Sequence, residues 1–358
     1  MNLLNRQQWF VVISTTLMAV FIYIARGPLF PFFIAFLLAY MLDPVLDRME
    51  SRKIPRTVSV ALLLGSVIIL ALLAGFIIYP LLEQQVTKGM EHLPQYAAKM
   101  QEKLAPLVER ISGYDKGQVN EMIENTIGKM GSLPLKILNA LYGFAVSAVS
   151  SAAGVVATVF SLLLIPVAAF YFMRDIDPMK EKLLELVPGR YREKVSQIAA
   201  DIDKTLSAFV RGQFTVALAM AFFYSAGLYL IGTPMGIFIG ILAGLSNIVP
   251  YLALVTGFLP SLILTWLHFG DFQHLAYVLA LFGIVQMVEG FYLTPKVMGE
   301  SVGLHPVVIM LSILIGGMLF GIIGIIIAVP AAAVLKVFLA HLESAYRSSR
   351  FFTNKKDD

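Results

Sequence analysis

From Val58 to Leu82 the chain passes through 25 consecutive residues without one Asp, Glu, Lys, Arg or His. As a helix this stretch is about 37 Å long at about 1.5 Å per residue, which exceeds the roughly 30 Å of hydrocarbon in a bilayer. Further apolar runs cover Trp9–Ala25, Pro28–Leu42, Leu135–Met173, Leu206–Ile231, Tyr251–Leu267, Leu275–Leu293 and His305–Leu342. In lipid the backbone polar groups must be satisfied within the segment, and apolar runs of this length do so as helices. The expected class is therefore all-α, a polytopic helical membrane protein.

Composition supports the same class. Charged residues make up 14% of the chain, against roughly 25% in soluble domains, and mean hydropathy is +0.79. There is no cysteine, which excludes disulfides, thiolate metal sites and cysteine nucleophiles. The net charge of +4 is spread over loops between apolar runs, without an arginine-rich tract interleaved with aromatics, so no nucleic-acid partner is expected.

Sidedness follows from the basic loops. Arg48, Arg52, Lys53 and Arg56 separate the second and third runs, which places that loop and the N-terminus in the cytoplasm by the positive-inside bias. Residues 174–205 carry seven basic side chains, and the tail adds Arg347, Arg350, Lys355 and Lys356, so both are assigned inside as well. Leu135–Met173 is too long for one straight span; the favoured reading is a single crossing over 154–173. Linear organisation reads as a three-span region 1–82, an arm 83–134, a fourth span with a cytoplasmic loop 135–205, a core 206–342 and a basic tail 343–358.

The arm shows alternating steps of four and three: Val86, Met90, Leu93, Ala97, Met100, Leu104, Leu107 and Ile111. A second stripe, Val119, Met122, Ile123, Ile127 and Met130, follows the Ser112-Gly113 break. Interfacial helices and a subunit-contact arm are both compatible with such seams.

Within the core, 206–267 and 275–342 repeat one order of elements. Each has a full-length span, then a corner (Gly232 to Pro234, Gly303 to Pro306), then an interrupted apolar pair. The two units enter from opposite sides, as in an inverted repeat. Backbone interrupted at membrane depth survives only where it lines a cavity or is covered by protein. Gly236, Gly240 and Gly244 fall on one face of the first interrupted segment and permit close helix contact. Gly317 and Gly321 mark the second.

Polar residues in these runs are the candidate solute and ion contacts. Glu289 stands within the 275–293 run, where a charge is costly, and Gln286 lies one turn earlier on the same side. Arg211 and Gln213 occupy the inner part of the 206–231 span. Ser246, Asn247 and the carbonyls near Pro250 could accept a polar solute, and Ser312 with Gly316 and Gly317 forms the second set. His305 reads as a capping or surface residue, and Asp43 and Asp175 as interface anchors. No Walker loop, paired-histidine metal helix, nucleophile elbow or dinucleotide fingerprint is present, so neither enzyme chemistry nor a cofactor or bound metal is expected.

The stretch QMVEGFYLTPKVMGESVGLHPVVIMLSILIGGMLFGIIGIIIAVPAAAVLKVF, from Gln286 to Phe338, resembles the signature of the autoinducer-2 exporter family. FYFMRD at Phe170–Asp175, RGQ at Arg211–Gln213 and LIGTPMGIFIGILAGLSNIVPY at Leu230–Tyr251 extend the resemblance over nearly the whole chain. Where relatives tend to have Gly and Pro after the Pro-Tyr pair, this chain has Ala253 and Leu254. The resemblance implies a bacterial inner-membrane transporter with about eight spans, forming homo-oligomers, a pentamer on the resemblance alone, with elevator-like movement of the broken-helix half. Members export a furanone-type quorum signal, and others are similar to sodium–proton antiporters. The resulting expectation is secondary export of a small polar solute, with Glu289 assisting coupling to H+ or Na+. Cation–proton antiport is the alternative, and a membrane scaffold organised by the arm is the third reading.

Overall fold

The computed structural model describes residues 24–92, 152–298 and 303–348, with scattered positions between 13 and 21 and at 95, 98 and 121. Most of the expected first span and of the 83–134 arm, and all of residues 135–151, lie outside these. The described residues are helical, without a β-strand among them.

Eight helical elements follow in order: α1 (Arg26–Ser51), α2 (Arg56–Glu91), α3 (Ala152–Glu185), α4 (Gly189–Ile231), α5 (Gly236–Ser246), α6 (Leu254–Phe269), α7 (Phe272–Met298) and α8 (Pro306–Arg347). Two of them open or continue through a single π-helical turn, Leu254–Phe258 in α6 and Glu289–Leu293 in α7. Helix α2 carries the third apolar run and continues unbroken to Glu91, past position 83 where the arm was expected to begin.

Four helices among the described residues are long and apolar enough to cross a bilayer: Arg56–Gly89, Gly189–Ile231, Phe272–Met298 and Ile323–Arg347. That number is of the described residues, and the expected first span lies largely outside them. Helix α1 contains the Pro28–Leu42 run and continues through Asp43 to Ser51. Only 6% of the most apolar stretch of α2 is buried, as expected of a wall that faces lipid.

Both interrupted segments are broken as expected. Helix α5 has 11 residues, about 16 Å, too short to cross alone. It starts after a corner in which Gly232 (φ 81°) and Met235 (φ 58°) are left-handed, and ends in a turn through Tyr251 (φ 68°). Helix α8 breaks at Gly321, whose φ 63° and ψ −142° only glycine adopts readily. Its arms, Pro306–Gly321 and Ile323–Arg347, fold into a hairpin that crosses at Gly316 and Gly324, where a Cβ on either would strike the other's backbone.

The chain divides into two compact units. One comprises residues 1–65, 160–211 and 300–358; the other comprises 66–159 and 212–299. The linear division drawn from sequence runs across both. In the second unit Val216, Met220, Tyr224 and Leu228 of α4 pack with Phe238 and Ile239 of α5 and with Val278 and Phe282 of α7. The Tyr224 and Phe282 rings stack at 4.4 Å. In the first unit Tyr40, Phe209, Val210 and Val329 form the core.

Candidate functional site

The second unit places a polar chain among these apolar contacts. Helix α5 can lie against α4 because its exposed-to-neighbour face is all glycine: a Cβ at Gly236 would come within 2.9 Å of the Leu228 carbonyl. Gly240 and Gly244 are tighter still, against the backbone of Ser225 and Ala221. This close approach sets the C-terminal end of α5 beside the start of the apolar part of α4. Gln213 Nε2 there donates to the Asn247 carbonyl at 2.6 Å.

Asn247 is buried, 7% exposed, and ends α5. Its side-chain Nδ2 donates to Glu289 Oε1 at 2.7 Å, and Gln286 Nε2 donates to Glu289 Oε2 at 2.6 Å. Each carboxylate oxygen of Glu289 thus has one amide donor. Four of the residues singled out from sequence, Gln213, Asn247, Gln286 and Glu289, are brought into one hydrogen-bonded chain. Glu289 also opens the π-helical turn of α7, a local widening of the helix often found at functional sites.

Ser246 and Pro250 are half-buried in the turn that follows α5. Several carbonyls in this turn are used locally: Ser246 O accepts from Val249 N at 3.0 Å and Val249 O from Leu252 N at 3.1 Å. The turn closes on Ala253, which is buried, while Leu254, the first residue of α6, is exposed.

The remaining candidates belong to the first unit. Arg211 Nε donates to the Tyr40 carbonyl at 3.2 Å. Ser312 Oγ donates back to the Val308 carbonyl at 2.7 Å within its own helix, Gly316 lies at the hairpin crossing, and Gly317 abuts Ile325. His305 caps α8, its Nδ1 accepting from Val307 N at 3.3 Å.

Sequence reasoning missed three polar features. Gln85 Oε1, on α2, accepts from Ile237 N at 3.1 Å and from Phe238 N at 3.4 Å, satisfying the first turn of α5. Thr233 and Thr265 share a buried hydroxyl contact of 2.9 Å. Arg56 holds Asp43 (3.3 Å), Glu50 (3.0 Å), Asp177 (2.9 Å) and the Met173 carbonyl (2.8 Å), while Asp203 takes Tyr40 Oη at 2.7 Å and Lys180 Nζ at 2.9 Å. Burial first, then the charge of Asp47, raises the Asp43 carboxyl above the ordinary aspartate range, and Arg56 pulls the other way. Asp175 is held below that range by its hydrogen bond from Arg174. A signal for Gln85 was present in the amide at the end of an otherwise apolar run; its partner 152 residues on was not.

Among the described residues no cluster of three metal-ligating side chains occurs. The polar chain presents three amide side chains and one carboxylate.

Comparison with known proteins adds the family. A family model described as AI-2E family transporter matches residues 12–344. "Putative transport protein YrrI" of Bacillus subtilis (strain 168) is 30% identical over 325 residues, covering 87% of this chain and 85% of the relative. "Putative transport protein YueF" of the same organism is 27% identical, covering 87% and 84%. "Putative permease PerM" of Escherichia coli (strain K12) is 25% identical, covering 89% and 88%.

Proposed function

We propose that this chain, which belongs to the AI-2E transporter family, is a secondary transporter that exports a small polar solute, of the kind autoinducer-2 represents, by alternating access. Its relatives are named as transport proteins and a permease rather than enzymes, and transport across a membrane is the general activity they share. The observation that carries the reading is the chain from Gln213 through Asn247 to Glu289 and Gln286, set at a helix break in an apolar unit. Polar groups at such a break bind solute where water reaches them, and a carboxylate there couples solute movement to H+ or Na+. The hairpin that carries Ser312, Gly316 and Gly317 is the second element of the reading, and Arg211 its nearby cation in sequence. Both termini are assigned to the cytoplasmic side of a bacterial inner membrane, and the working form to a homo-oligomer.

Cation–proton antiport is the second reading, favoured by a carboxylate lodged in a bilayer-length apolar helix. The test is Glu289→Gln in proteoliposomes loaded with autoinducer-2, with internal pH recorded. Loss of solute efflux supports the exporter reading. Retained efflux with loss of cation-driven proton flux supports antiport, and unchanged efflux and proton flux overturn the role of Glu289.

A further inference from the structure

The first unit contains a cavity of about 1120 Å³ between α1, Phe172 of α3 and the hairpin arms of α8. Its wall is almost entirely apolar: Phe32 and Phe36 of α1 face Ile315, Leu335 and Leu339 of α8, and Ser312 and Gly316 sit on the same wall. The room exists because α8 presents small side chains there, among them Ala328, Ala331 and Ala332. Ile315, Leu335 and Leu339 stay about half exposed along it. This volume is the size of a ligand pocket rather than a packing defect. Water in it would find almost no hydrogen-bond partners, since Ser312 Oγ already donates to Val308 O, and an empty void of this size forfeits dispersion contacts along its lining.

One end of the groove is different. Lys336 Nζ donates to the Gly303 carbonyl at 2.9 Å, and His305 and Glu343 also line the wall. Glu343 is paired with Arg347 at 2.7 Å, so its charge is answered on its own helix. Lys336 lies seven residues before Glu343, about 10 Å nearer the hairpin tip. Its four-carbon stem continues the apolar wall while its ammonium marks the polar end. The groove thus pairs an apolar trough with a cation at one end.

We propose that this groove binds an anionic phospholipid of the surrounding bilayer, its acyl chain along the alanine-lined trough of α8 and its phosphate at Lys336. The labels and the Lys336 substitution leave Asn247 and Glu289 unaltered, so the test of the groove does not depend on the solute reading at those two residues. Because the chain has no cysteine, Ala331→Cys or Ala340→Cys carrying a small fluorophore reports on the groove alone. The labelled full-length protein is reconstituted in phosphatidylcholine vesicles containing a minor fraction of lipid with brominated acyl chains. Brominated phosphatidylglycerol is expected to compete for the groove roughly fivefold better than brominated phosphatidylcholine, the worth of one lysine near an anionic headgroup. Lys336→Gln should bring the two to equality. Equal quenching in the parent protein overturns the proposal's headgroup assignment. Absence of quenching by either lipid at both labelled positions, the result if another segment of the chain or a second copy fills the trough, overturns the proposal outright. Native mass spectrometry of the unsubstituted protein gives a label-free check: retained phosphatidylglycerol supports the site, and its absence counts against it.

Discussion

Asn247 Nδ2 donates to Glu289 Oε1 at 2.7 Å, joining the last turn of α5 to the π-helical turn of α7 across 42 residues of sequence. Because the donor is buried and the acceptor is a carboxylate, the two side chains should be energetically coupled. Asn247→Ala and Glu289→Gln, made singly and together, are expected to be non-additive by about 0.5–3 kcal/mol. Denaturant or thermal unfolding in detergent measures the cycle. Additive losses would mean that the pair does not act as a unit.

Gln85 offers a separate test. Its Oε1 serves the N–H groups of Ile237 and Phe238, which as first-turn residues of α5 have no intrahelical acceptor. Gln85→Leu should lower stability by about 1–3 kcal/mol through unsatisfied buried donors. Gln85→Glu keeps the acceptor and places negative charge at a helix N-terminus, so it should retain most of the parent's thermal midpoint. An equal drop in both variants would assign Gln85 to packing alone.

How much of this was legible beforehand depended on whether the governing physics was local. The breaks at Gly232–Pro234 and near Gly321 are written in glycine and proline, and both were readable. The i to i+3 relation between Gln286 and Glu289 follows from helix periodicity, and it holds at 2.6 Å. The glycine face of α5 announced a close partner without naming it; Ser225 and Ala221 of α4 could be found only from coordinates. Gln85 was invisible as a hub because its partners are distant in sequence, and so was the reach of Arg56 beyond its neighbours Asp43 and Glu50 to the Met173 carbonyl, 117 residues away. Ser312 was chosen for its polarity, whereas its hydroxyl is spent on its own helix. The π-helical turns left no pattern that a 3.6-residue period can detect.

Two glycines, Gly244 in the seam between α4 and α5 and Gly75 on α2, should respond oppositely to an added Cβ. At Gly244 a Cβ would fall on the backbone of Ala221, which cannot yield without moving α4. Gly244→Ala should therefore cost about 1–3 kcal/mol or more, read as a lowered thermal midpoint. At Gly75, on the lipid-facing wall of α2, nothing lies within 4 Å of the added atom. Gly75→Ala should leave stability unchanged or raise it by about 0.5–1 kcal/mol through helix propensity. A marked loss at Gly75 would reveal a partner on that wall.

Gly321 isolates backbone conformation from packing, because no atom lies within 4 Å of a Cβ built there. Its φ 63° and ψ −142° nevertheless exclude an alanine without strain. Gly321→Ala is expected to destabilise the hairpin by about 1–3 kcal/mol. Faster hydrogen exchange confined to the arms of α8 would locate the effect; unchanged exchange would show that the hairpin accommodates the substitution.

Asp271 supplies the pH dependence. It caps α7, its carboxylate accepting from His274 N at 2.9 Å and from His274 Nδ1 at 2.8 Å. These bonds, the backbone one foremost, hold its acid below the ordinary aspartate value. A carboxyl more acidic in the folded state contributes stability above its unfolded value of about 3.9, and that contribution is lost as pH falls through the lower folded value. The thermal midpoint should therefore drop on acidification below about pH 4. Asp271→Asn keeps the cap and removes the titrating group, so its midpoint should vary less over the same range, while Asp271→Ala loses the cap at neutral pH as well. Parallel pH curves for the parent and Asp271→Asn would show that the acid transition belongs to other carboxylates, with the Asp43–Arg56 cluster the next place to look.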